Sequence, residues 1–392
     1  MASTGISTEE REVIREILDL DDRKTTHMLP QVMENPVTNY ADPDQLAREI
    51  DVLFRNFPVI IGHRSDLSEP GSFFTHDDLG VPILVTRNQD GEVNAFLNVC
   101  RHRGARVEGE PCGQSRSFTC PYHAWTYDLN GSLRGMPQPV GFDSVDRSSR
   151  GLVELPAFER FGLIWVVPSP TDDEIDLAAW VAPMEEQLAG LDLGNHVVFK
   201  KWSLDRNMSW RIAAEGFQES YHFCSAHRDT ACSNYLDNRS VHINYGPHVR
   251  HCVPLPKMLD LREQPEDDWE YRSNFMTQNF LFPANFIQVM TDHVYVHTII
   301  PTGPGQCVFQ CMMLIADAPE NDKAERYWRA NYDVVRTVFD EDFAIGEGIQ
   351  KGLDTGANTE FMFGTYECGL HFGQQAIDDA LAGTLVVPSR NS

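Results

Sequence analysis

The sequence predicts an α+β chain: a small all-β domain, then a larger α+β domain with an antiparallel sheet flanked by helices. Three observations carry this. Between Phe57 and Val167 short β-type runs alternate with turn residues. Longer β runs recur from Val197 to Ala316 around one helical segment. A helical pattern then continues from Asn321 to about Leu353.

Each element has a local reason. Glu9 to Leu20 has helical spacing. Pro43 to Phe54 is a second helix, with Asp42 as N-cap and Pro43 at the first helical position, where its missing N–H costs nothing. Residues 81 to 86 lead through Asp90-Gly91 to Val93–Val99, a hairpin. Residues 126 to 129 lead through Asn130-Gly131 to a second hairpin. Residues 161 to 167 close the region as an apolar strand. Glu174 to Leu188 is helical, broken at Pro183. A strand is expected over Val197 to Asp205, and a helix from Ser209 to about Tyr221. Strands over Phe286–Met290, Val294–Pro301 and Cys307–Ala316 precede the long helix.

The expected division is a peripheral helical segment over 1–45, an all-β domain over 46–168 and the α+β domain over 169–392. The chain has 392 residues and a net charge of -26, which argues against nucleic acid and anionic membrane surfaces as partners. The opening residues are polar and acidic, and no run of about 18 apolar residues occurs, so a cytoplasmic protein without a membrane span is expected. In that compartment the nine cysteines are expected to be ligands or free thiols, with Cys307 and Cys311 as core thiols on one strand face.

Two motifs carry chemistry. Cys100-Arg-His102 and Cys120-Pro-Tyr-His123 stand seventeen residues apart at strand-to-strand tips. Two thiolates and two imidazoles could hold zinc or a mixed-ligand [2Fe–2S] cluster. Cys2His2 zinc fingers place both cysteines first; here each loop supplies one of each, which suits a Rieske cluster. The second motif is His222 with His227, five apart. On a continuous helix they would diverge by about 140°, so the helix must end or bulge just after His222. H-x4-H alone is weak. On the long helix, however, Trp328, Val334, Val335, Val338, Phe339, Ile345 and Ile349 share an apolar arc with Asp342 at its centre, while Glu341 falls just outside. A carboxylate so placed needs an ion partner or a metal. His222, His227 and Asp342 make a two-histidine, one-carboxylate set of the kind that suits non-haem Fe(II). Glu219, three residues before His222, can accept a hydrogen bond from the ring N–H turned away from a metal. Phe217 and Phe223 are read as core.

The stretches 100–104 and 120–125, with Tyr221-His222 to His227 and Glu341-Asp342 ahead of Gln350-Lys-Gly352-Leu353, resemble the α subunits of Rieske non-haem iron oxygenases, the aromatic-ring-hydroxylating family. The likeness spans roughly residues 50 to 375. It implies a Rieske [2Fe–2S] domain and a helix-grip catalytic domain. It further implies that Cys100, His102, Cys120 and His123 hold the cluster, and that His222, His227 and Asp342 hold mononuclear Fe(II). Glu219 would bridge to His123 of a neighbouring subunit in a head-to-tail homotrimer. The resemblance implies O2 as co-substrate and electrons from NAD(P)H through a flavin/iron-sulfur reductase, or a ferredoxin. The reaction would be hydroxylation, oxidative demethylation or dihydroxylation of a small organic substrate, aromatic or quaternary-ammonium-like. The family usually has Asp where Glu219 stands, Asn at Gly216, and Asn-Trp-Lys at Ser209-Trp210-Arg211. Ala105 and Tyr122 stand where respiratory Rieske proteins carry extra cysteines, which implies a potential at the low end of the Rieske range, roughly −150 mV. The rival reading is a Rieske-type electron carrier with an appended ligand-binding domain; a zinc-binding structural protein is a distant third.

Overall fold

The computed structural model describes residues 6–390, which form two compact units.

The first comprises Asp51–Asn195 with residues 386–390. Its largest sheet is antiparallel and runs Glu154–Leu155, Val93–Leu97, Ile83–Arg87, Ser72–His76, Cys112–Gln114. Two three-stranded sheets complete it: Ala157–Arg160, Leu163–Val166 and Val59–His63, then Ser117–Thr119, Thr126–Asp128 and Leu133–Gly135. The hairpins form where the turn residues ask for them. Gly91 and Gly131 both have positive φ, and a Cβ on Gly131 would strike the Phe96 ring. The core joins Phe73, Phe96, Phe118 and Tyr127 to the two motif cysteines. Helix Leu177–Val181 stops at the turn containing Pro183, and Glu185–Ala189 resumes.

The second unit comprises residues 6–50 with His196–Leu385. Its sheet has seven antiparallel strands in the order Val197–Arg206, Gln306–Ile315, His293–Gly303, Asn285–Val289, Phe275–Leu281, His248–Pro254, Val241–Tyr245. Helices Trp210–Gly216, Asp322–Leu353 and Cys368–Leu381 accompany it. Asn321 caps the long helix by accepting from the N–H groups of Lys323 and Ala324 at 3.0 and 3.1 Å. None of the described helices is long and apolar enough to cross a membrane.

Two expectations are corrected. The boundaries at 45 and 168 do not match the compact units: residues 169–195 go with the all-β unit, and the segment read as peripheral is built into the other. Helix Thr8–Asp22 buries Ile14 and Ile17 against Val241, Cys252 and Met258. Met33–Pro36 pairs with Glu360–Phe363. Glu49 accepts from Trp210 Nε1 at 2.7 Å and from Arg211 Nη2 at 2.7 Å, in full burial. Such long-range partners leave no local trace in the sequence. The long helix also buries a narrower stripe than expected: Val335, Phe339, Phe343, Gly346 and Leu353 are buried, whereas Val334, Ile345 and Ile349 are 57%, 49% and 40% exposed. Those three border cavities instead of filling the core.

Candidate active site

The two Cys-His loops close by the same bonds. Cys100 N–H donates to Ala105 O and Gly104 N–H to Cys100 O, at 2.8 and 2.9 Å. Cys120 N–H donates to Trp125 O and Ala124 N–H to Cys120 O, at 2.9 and 3.0 Å. The fifth residue of each loop, Gly104 or Ala124, has positive φ. Two sequence-distant loops thus become structural copies. Both cysteines are buried, His102 is half-buried and His123 is exposed. The two imidazoles lie 4.6 Å apart, centre to centre, and Trp125 stacks on His102. Burial, then the neighbouring Cys100, pushes the Cys120 thiol up, and burial together with His123 lowers His102. The Tyr127 hydroxyl, which accepts from Arg101 N–H at 2.9 Å, sits 3.3 Å from Cys100 Sγ. Thiols inside and imidazoles outside, on matched loops, fit a [2Fe–2S] cluster with mixed ligands.

In the second unit the helix carrying the other motif stops at Gly216. This corrects the expected helix to Tyr221 with its break after His222. Gly216 is a poor helix former, and past it the Gln218 carbonyl leaves the helical ladder to accept from His242 Nε2 at 3.0 Å. His222 then begins, and His227 ends, the one-turn helix Phe223–Ala226. The turn does what a continuous helix could not: one ligand atom from each of His222, His227 and Asp342 falls within 4.8 Å of the others. Asp342 Oδ1 lies 3.5 Å from His222 Nε2 and 2.9 Å from His227 Nε2.

Carboxylates hold both rings from behind. Glu219, on the turn and not on a helix, accepts a short hydrogen bond from His222 Nδ1. Glu341 accepts from His227 Nδ1 at 2.8 Å and from the Thr230 hydroxyl at 2.7 Å. Each ring carries its proton on Nδ1 and presents Nε2 toward Asp342. Burial works to lower both histidines, but Glu219 on His222 and Asp342 on His227 reverse this and the net shift is upward. The donor set fits a non-haem iron with free coordination positions. Sequence reasoning missed Glu341; its adjacency to Asp342 was the available signal. The cysteine expectation is corrected too: Cys224 and Cys232 form a disulfide across this segment, with Cα atoms 4.6 Å apart. Cys307 and Cys311 are free and buried, as expected.

Two cavities meet at the triad, and Glu219, His222 and Asp342 border both. The larger, of about 520 Å³, also carries Glu215 and Glu367. Burial pushes Glu215 up to about 8, and Tyr40 donates to it at 2.7 Å. The smaller, of about 210 Å³, lies between the sheet and the long helix, with Phe217 and Phe223 in its wall, and Phe217 also packs on the buried rings of Phe286, Phe309 and Phe339.

The Rieske [2Fe-2S] domain family matches residues 57–155, and the ring hydroxylating alpha subunit catalytic domain family matches residues 193–383. The glycine betaine monooxygenase oxygenase subunit of Chromohalobacter salexigens is 25% identical over 90% of this chain and 85% of its own length. The benzene 1,2-dioxygenase α subunit of Pseudomonas putida is 30% identical over 47% of this chain and 42% of its own. Among solved structures, a quaternary ammonium Rieske monooxygenase bound to L-carnitine superposes with a TM-score of 0.77 at 20% identity, covering 90% of this chain and 96% of that one. With both family matches in place, and the fold shared with these structures, the chain belongs to the α subunits of Rieske oxygenases, enzymes that act as mono- or dioxygenases.

Proposed function

We propose that the protein is the oxygenase component of a multicomponent system that uses O2 and NAD(P)H-derived electrons to oxidise a small organic substrate. The electrons would arrive from a flavin/iron-sulfur reductase, with or without a ferredoxin. The observation that carries this reading is the convergence of His222, His227 and Asp342 in the same chain as the Cys-His quartet. A pure electron carrier has no use for that triad.

In this reading Cys100, His102, Cys120 and His123 hold the [2Fe–2S] cluster, and His222, His227 and Asp342 hold the mononuclear Fe(II). When bound, the cluster supplies one-electron transfer and the iron supplies oxygen activation. The residues of this chain position and shield. Glu219 and Glu341 fix the two imidazoles through their Nδ1 protons. Phe217, Phe223 and Phe339 line the smaller cavity and give it an apolar wall beside the triad. His123, exposed at its loop tip, and Glu219 would form the bridge between neighbouring subunits of a homotrimer. Oxidation or demethylation of a quaternary ammonium compound is preferred here to aromatic dihydroxylation; likeness over most of their length to a glycine betaine monooxygenase subunit and a choline monooxygenase supports this reading.

Asp342→Ala tests the assignment. The variant should keep the visible Rieske spectrum, fall from about three irons per chain to about two, and lose O2 uptake in the presence of reductase and NADH. Unchanged iron content or surviving turnover refutes the triad.

A further inference from the structure

The floor of the smaller cavity carries a row of polar side chains that the oxygen chemistry does not use. Across the sheet, His242 pairs with His251, His251 with Gln278, Gln278 with Gln288, and Gln288 with Tyr295. Directly opposed residues on adjacent strands share a face, so five consecutive strands contribute one continuous polar line. His251, Gln278, Gln288 and Tyr295 all border the cavity that also holds His227 and Asp342. His251 and Gln278 are each 3% exposed.

Their hydrogen bonding is incomplete in one direction. Tyr295 is satisfied, its hydroxyl donating to Asn331 O at 3.3 Å. Gln278 Nε2 donates to His297 Nε2 at 3.2 Å, and Gln288 Nε2 reaches Met290 Sδ at 3.7 Å. That leaves Gln278 Oε1, Gln288 Oε1 and His251 Nε2 buried without a protein partner. Buried polar atoms are nearly always matched, and here two glutamines on adjacent strands, both bordering the cavity next to the triad, each keep an unmatched amide oxygen. His251 is fully buried and held neutral by that burial, so the row offers no charge.

The charges around the site point the same way. Neither cavity has a lysine or arginine among its described lining residues, and the carboxylates there are Glu215, Glu219, Asp342 and Glu367. Apart from the iron that the triad would hold, a substrate carboxylate or phosphate would find no cation among these lining residues. At about 210 Å³ the cavity is also below the roughly 300–1,000 Å³ of drug-sized ligand sites.

We propose that the His251–Gln278–Gln288 row reads the substrate: a small molecule without an anionic group, its apolar part toward the triad and a hydroxyl or amide N–H donated to Gln278 and Gln288. This inference rests on the oxygenase reading above. It separates two chemistries found among the relatives, since choline carries a hydroxyl where glycine betaine carries a carboxylate.

The test is equilibrium dialysis of the iron-loaded protein under argon against two probe series. One is benzyl alcohol, benzyl methyl ether and benzoate; the other is choline, its O-methyl ether and glycine betaine. In at least one series the alcohol should bind roughly tenfold or more tightly than the ether, with the carboxylate weakest, because an unmatched acceptor rejects a molecule lacking the donor. Gln278→Leu and Gln288→Leu should each erase the alcohol-over-ether preference. A carboxylate that binds as tightly as its alcohol overturns the proposal. So does a preference that survives both substitutions, or binding by none of the six. The wild-type ranking stands alone if a variant fails to fold. Iron content and O2 uptake, measured separately, report on the oxygenase reading: their failure with the donor preference intact would reject that reading and leave the row as a binding element.

Discussion

At the residue scale, Glu219 and Glu341 do equivalent work from opposite directions. Each takes the Nδ1 proton of one histidine, so that both Nε2 atoms are free to meet beside Asp342. Such partners behind metal ligands typically contribute 10–100-fold in affinity. Glu341→Gln should therefore weaken iron binding by roughly that factor in chelator competition. Unchanged affinity would mean that Glu341 merely tethers Thr230. The four cluster-loop residues and the two histidines were legible as Cys and His at short spacings, and Asp342 as a carboxylate centred on an apolar helix face. Glu341 was not, since its role depends on a ring that arrives from 114 residues away.

At the element scale, the long helix must present Asp342 at a fixed height, and Gly346, one turn further on, sets it. A Cβ there would run into Met208 Sδ and press on Ile212 Cγ2, both on the segment packed against the helix. Gly346→Ala is expected to destabilise the protein by about 1–3 kcal/mol, read as a lower denaturant midpoint at unchanged slope. A stabilised variant, as helix propensity alone would give, would show that the contact is loose. The start of this helix could be read from Asn321 and its length from the periodicity. The early end of Trp210–Gly216 could not, because the group that draws the Gln218 carbonyl away lies on another strand.

At the scale of the whole molecule, the fold tolerates a desolvated carboxyl group on a cavity wall. Glu215, raised by burial from 4.5 to about 8, keeps its proton in the folded chain and loses it in the unfolded one. The folded state binds more protons between those values, so stability is full below the lower one and falls as pH rises toward the upper. Glu215→Gln should flatten that fall, seen as denaturant midpoints that converge with wild type at low pH and exceed it above pH 8. Equal slopes would place the proton elsewhere. The order of an all-β region followed by an α+β region was legible in the changing period of the hydrophobic pattern. The assignment of residues 6–50 and 169–195 was not, because it depends on buried partners such as Glu49 and Arg211 that pair across 162 positions.

The Cys224–Cys232 pair bears on how the right metal is chosen. Cys224 lies two residues from His222, and the loop it closes contains His227. As free thiols these two side chains would add soft thiolate donors to the nitrogen and oxygen set, a combination that favours zinc. Tied to each other, they have no thiolate to give. The oxidised pair leaves the two imidazoles and Asp342 as the donors that converge at the centre.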